Sequence, residues 1–191
     1  MKTTIKRKTY KAIYRLLDKV SPLSSDCGQL CSAACCTCGG DSLDEDGKDF
    51  DMGIYLLPGE EKIFNRDEPW LKWSVENAED YDFPDSWHGK IYFVRCTTPP
   101  HCPRNMRPLQ CRFYPLFPYL SQDGKLSLIL SPLNLPYECP LVVDKMTLEP
   151  SFIQATYTVW KRLIKDPYIR DLVEMDSQGV RQAGSEIHIV I

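Results

Sequence analysis

Five cysteines fall within a single short stretch, Cys27-x3-Cys31-x3-Cys35-Cys36-x-Cys38, and four more follow at Cys96, Cys102, Cys111 and Cys139. A buried cysteine can serve as a small hydrophobe. The segment 24–41, however, is built of Ser, Gly, Thr and Asp between its thiols and has little apolar surface to bury. Metal ligation gives these thiols a reason to cluster. Thiolates bind zinc and iron strongly, and closely spaced ligands on a turn limit the chain entropy lost on binding. Disulfides are the competing use, in an oxidising compartment. The odd total of nine cysteines suits a closed disulfide framework poorly. The first twenty residues, MKTTIKRKTYKAIYRLLDKV, scatter charge throughout and offer neither an apolar signal region nor a small-residue cleavage site. The expectation is a cytoplasmic protein with reduced thiols and a bound metal. Nothing in the sequence approaches the ~18 apolar residues of a membrane span.

The 191 residues suffice for one domain with a real core, and the 43% hydrophobic and 26% charged composition reads as globular. Fifteen prolines predict long irregular connections. Tyr10, Ile13, Tyr14, Leu16, Leu17 and Val20 recur at helical spacing over 8–20, before Pro22. Residues 53–57 read as a short buried strand closed by Pro58-Gly59, and 59–65 as one helical turn. Residues 66–88 are aromatic and acidic without a regular pattern, and 91–94 alternate as a second strand. Residues 126–130 form a third strand, paired through an Asp123-Gly124 turn with Tyr119-Leu120. A helix is expected at 150–165, started by Pro150, then a shorter one at 167–176 and an edge strand at 186–191. The fold class is therefore α+β: a small single domain over 1–191 with a few short antiparallel strands, two or three helices and long loops organised around a cysteine site. Its cysteine-rich core is 27–140, with the helical segment 150–176 packed on it. The acidic stretch Asp41–Asp51 lacks the order and closing Glu of a calcium loop and reads as a solvated turn.

A short loop seldom closes a four-thiolate site alone, so Cys96, Cys102, Cys111 and Cys139 are the candidate partners of the 27–38 cluster. Arg104, Arg107 and Arg112 stand among them, where guanidinium groups would offset the negative charge of a tetrathiolate and lower thiol pKa values. His101, beside Cys102, is a further possible ligand. Rival patterns are incomplete. Cys31-x3-Cys35-x2-Cys38 spells the radical S-adenosylmethionine cluster motif, but Thr37 replaces the usual aromatic and no repeating strand–helix units follow. Cys35-x2-Cys38 has thiol–disulfide oxidoreductase spacing without the βαβ context. Arg95, Arg104, Arg107 and Arg112 with Phe113 and Tyr114 could grip a nucleic-acid strand, yet the net charge is -3 and nucleic acid is not the expected partner.

The arrangement resembles the YkgJ-like CxxCxxCC family, described as zinc- or iron-chelating domains. The matching residues are the cluster Cys27, Cys31, Cys35 and Cys36, and the segment Ile54-Tyr55-Leu56-Leu57-Pro58-Gly59-Glu60-Glu61. Cys96 and Cys102 match next, then Arg107-Pro108-Leu109-Gln110-Cys111-Arg112-Phe113-Tyr114-Pro115, and finally Cys139-Pro140. The likeness covers roughly 27–140, with three-residue rather than two-residue spacings before the Cys-Cys pair and an additional Cys38. It implies that Cys27, Cys31, Cys35, Cys36, Cys96, Cys102, Cys111 and Cys139 hold zinc or an iron–sulfur cluster. One branch of the family is linked to methylation of flagellin lysines. The resemblance thus also admits an iron–sulfur-dependent redox or protein-methylation-related enzyme.

Overall fold

The first helix, α1 (Arg7–Leu17), buries Tyr10, Ile13, Tyr14 and Leu17 on one stripe and leaves its lysines outside. That spacing of three and four is what seats an amphipathic helix on a core. The structure is a computed structural model that describes residues 2–37, 53–133, 135–184 and 186–191. The expected acidic turn at 41–51 and Cys38 lie outside them.

Two small antiparallel sheets share this core. In the first, β3 (Lys90–Cys96) lies between β1 (Ile54–Tyr55) and β2 (Leu71–Asn77), with Tyr55 opposite Phe93 and Leu71 opposite Cys96. The second is a hairpin of β4 (Leu116–Leu120) and β5 (Leu126–Leu130), turned at Gly124 with φ 77°. The tail docks on the free edge of β5: Leu128 N–H donates to the Ile191 carbonyl at 2.9 Å and Leu130 N–H to that of His188 at 3.0 Å. The expected edge strand is thus one bridge, Ile129 to Ile189.

The described residues hold three long helices, α1, α5 (Pro150–Leu163) and α6 (Pro167–Gln182), and three single turns, α2 (Ala34–Thr37), α3 (Leu109–Phe113) and α4 (Pro140–Val143). The expectation of two or three helices matches the long ones alone. The single turns are too short to show a helical period in sequence. One contiguous apolar cluster runs from Ile5 to Val173 and takes in every one of these elements except α2. Asp166 ties its two ends together. Its carboxylate caps α6 at the Tyr168 and Ile169 N–H groups and also accepts from Thr3 Oγ1 (2.9 Å) and Thr4 N–H (2.6 Å). No helix of the described residues is long and apolar enough to cross a membrane.

Gly59 sets the path of the chain beyond β1. It sits at φ 91°, and a Cβ there would stand 2.6 Å from Thr3 Cγ2, so only glycine fits. The turn it makes aims Glu60 into the core, where the residue is fully buried.

Candidate metal centre

The cysteine cluster begins on a short 3-10 turn, Cys27–Leu30, capped by the Asp26 carboxylate, which accepts from Gly28 N–H at 3.1 Å. The chain then reverses through Ser32 and Ala33, both left-handed with φ 50° and 56°. Such backbone costs about 1–3 kcal/mol per non-glycine residue. The reversal is closed by Ala33 N–H donating to the Gly28 carbonyl at 2.8 Å and Cys36 N–H to that of Ala33 at 2.7 Å. The following turn, α2, carries Cys35 and Cys36 with their sulfurs 3.9 Å apart.

A second loop meets this one. Cys96 ends β3, and Thr97 holds the loop to the strand before it, donating its N–H to the Trp70 carbonyl at 2.9 Å and its hydroxyl to that of Pro69 at 3.1 Å. Arg107 Nε donates to Cys102 Sγ at 3.0 Å. Arg104 reaches across to Asp26 at 2.9 Å, joining the two loops, and its guanidinium holds the Asp26 carboxyl below the usual carboxylate range. Cys111 arrives on α3. That turn is fixed from beneath by Glu60, whose Oε1 accepts from Leu109 N–H (2.9 Å) and Tyr14 O–H (2.6 Å) while Oε2 accepts from Leu57 N–H (3.0 Å). Cys139 immediately precedes α4 and is buried.

Arg112 is not a sulfur neighbour in the way its place beside Cys111 predicts. Its side chain, 6% exposed, lies over the Tyr14 ring at 4.5 Å. It donates to the Arg107 carbonyl (2.9 Å), the Arg104 carbonyl (3.1 Å) and the Asp18 carboxylate (2.8 Å). It therefore braces the backbone of the Cys102–Cys111 loop. Of the three arginines, Arg107 is the one whose guanidinium is bonded to a thiol. Phe113 turns inward, packing on Trp160 with ring centroids 4.8 Å apart.

The thiols surround two neighbouring cavities, of about 290 and 420 Å³. Cys27, Cys31 and Cys139 line the first, Cys36, Cys96 and Cys102 the second, and Cys35 and Cys111 line both, together with Arg107. Thus all eight described candidates border this one region, and all are free thiols. His101 is exposed and lines neither cavity. Among the described residues no three Cys, His, Asp or Glu side chains stand close enough to hold a metal ion.

Their protonation follows from their surroundings. Burial raises Cys27 and Cys96 above the ordinary thiol value. Cys111 is exposed as a residue, yet crowding around its thiol pushes it up to about 12, with the Cys36 charge adding to the shift. Within the vicinal pair either sulfur can be the donor, and the thiol that accepts is the one made more acidic; with Cys35 donating, that is Cys36. This bond, with help from Arg107 and Arg104, lowers Cys36 to about 6. A metal ion entering here would displace protons from most of these thiols.

No family model, no curated protein and no solved structure matches this chain. The likeness to the CxxCxxCC family rests on the motif residues themselves. Sequence reasoning passed over two residues that build the site. Glu60 sits in the Pro-Gly-Glu-Glu segment, and its signal was an acidic residue directly after the Pro-Gly turn that closes an apolar run. Trp70 lines the second cavity, and its indole N–H is buried without an acceptor among the described residues.

Proposed function

We propose that this protein binds metal, as zinc or an iron–sulfur cluster, through thiolates supplied by four separate stretches of chain. One observation carries the reading. Cys27 to Cys36, Cys96 to Cys102, Cys111 and Cys139 border the same pair of cavities, and a guanidinium is bonded to one of the sulfurs. Thiol packing among apolar groups gives no reason for eight sulfurs to gather, nor for Arg107 to be directed at Cys102. Thiolate ligation accounts for both, since a divalent ion held by four thiolates keeps a net negative charge that a neighbouring guanidinium offsets. The donor set is all sulfur, which suits zinc, iron–sulfur clusters and other thiophilic metals over magnesium or calcium.

Purification under strict exclusion of oxygen, followed by elemental analysis and visible spectroscopy, tests the proposal. A colourless protein with stoichiometric zinc supports a structural or interaction role. A brown protein containing iron and sulfide supports the iron–sulfur-dependent redox or methylation-related reading. Protein free of both metals, and unable to take them up after reduction, refutes the proposal.

A further inference from the structure

We infer that the eight thiols build two separate metal centres: Cys27, Cys31 and Cys139 hold one ion, Cys36, Cys96 and Cys102 hold the other, and Cys35 and Cys111 each complete one sphere. The inference rests on the thiolate reading above and adds the number of centres and the division of ligands between them.

The two cavities impose the division. Three thiols line only the first and three only the second, while the remaining two stand in the wall between. A structural zinc sphere takes four ligands. One sphere would leave at least four thiols unused, whereas two spheres use every one, with one wall thiol apiece. The 3.9 Å between the Cys35 and Cys36 sulfurs fits either assignment of the wall thiols. It is close to the edge of a tetrahedron with metal–sulfur bonds of about 2.3 Å. If Cys35 joins Cys36, then Cys111 completes the first sphere; if Cys35 joins Cys27 and Cys31, then Cys111 completes the second. The count of two centres holds in both cases.

Two further features belong to a pair of centres. Adjacent tetrathiolate sites, each carrying net negative charge, repel one another, and Arg107 lines both cavities, where its positive charge attenuates that repulsion. Trp70 lines the second cavity and its indole N–H is buried without an acceptor among the described residues; a metal-bound thiolate brought within reach would supply one. Trp70 itself is 7% exposed, so bulk water does not reach that donor.

The test uses the full chain, reduced and freed of metal without oxygen, then titrated with zinc and counted by native mass spectrometry. The wild type should take up two ions, and cadmium NMR of the wild type should show two resonances of equal intensity in the tetrathiolate range. Cys139→Ser and Cys96→Ser should each retain one ion, and the double variant none. The NMR spectrum needs no variant and so decides the count even if a serine substitution prevents folding. One ion in the wild type, or loss of all metal in either single variant that still folds, overturns the two-centre inference while leaving thiolate binding intact. No uptake by the wild type overturns both.

Discussion

Glu60 is the buried group on which the geometry of the site most depends, and Glu60→Gln tests that dependence. The carboxylate accepts three hydrogen bonds, from Tyr14 O–H, Leu109 N–H and Leu57 N–H. Every one of these contacts requires an acceptor. Glutamine keeps the volume but replaces one oxygen with an NH2 group. The least costly orientation places that group at Oε2, opposite Leu57 N–H, so that two donors face each other in a fully buried site. An unmade buried hydrogen bond of this kind costs about 1–3 kcal/mol. At this chain length that corresponds to a fall in Tm of roughly 2–12 °C, at about 2–4 °C per kcal/mol. Burial raises the Glu60 pKa, opposed by the three bonds and by Arg112. The folded wild type therefore takes up a proton more readily than the unfolded chain, and its stability advantage over the variant, which lacks this titrating group, should widen toward acid pH. Because the same side chain also holds Leu109, which opens the turn that carries Cys111, a shift that relieves the clash at Leu57 loosens that turn, and the variant should release zinc faster to a chelator. Thermal melts of the metal-free protein, paired with chelator competition on the loaded protein, read the two effects separately. A variant melting at or above the wild-type temperature would show that the cost of burying the charge exceeds the worth of the three bonds, and the reasoning would be wrong.

Cys111→Ser should abolish uptake at its centre and remove several kcal/mol of metal-dependent stability, since binding energy appears as folding energy; denaturant melts with and without zinc measure this. Arg112→Lys keeps the charge but loses the fork that spans the Arg107 and Arg104 carbonyls and Asp18. A loss of about 1.5–3 kcal/mol is expected in urea denaturation. Asp176 is raised to about 6 by burial and by the Asp82 carboxylate. The folded state therefore binds the extra proton, and stability is lost as pH rises from the ordinary aspartate range through about 6. Asp176→Asn should stabilise the protein at neutral pH and leave it nearly unchanged near pH ~4, where the wild-type group is already protonated. Equal effects at both pH values would contradict that sign.

Legibility from sequence followed the strength of the local pattern. The 126–130 strand and its Asp123-Gly124 turn were visible because Leu126, Leu128, Ile129 and Leu130 closely follow a turn pair. The strand β2 was hidden among acidic and aromatic neighbours. Its alternation of Leu71, Trp73 and Val75 is real, but Val75 is 44% exposed, so the pattern does not mark one buried face. The last helix was expected to stop at 176, ahead of Ser177 and Gly179, which are poor helix formers. It continues to Gln182 because Ser177 is built into the packing: its hydroxyl donates to the Val173 carbonyl at 2.6 Å and accepts from Leu120 N–H at 2.9 Å. At the site, clustering named the cysteines and even the arginines beside them. It could not divide those arginines into Arg107 on a sulfur, Arg104 on Asp26 and Arg112 on backbone carbonyls. That division depends on tertiary neighbours such as Tyr14 and Asp18, nearly a hundred residues away in the chain.

X-ray absorption at the edge of whichever metal the anaerobic protein carries examines the proposed coordination itself. The expected spectrum shows four sulfur neighbours at about 2.3 Å, with any iron–iron scattering beyond that shell reserved for a cluster. A first shell of oxygen and nitrogen, with sulfur absent, would mean that the gathered thiols are not the ligands.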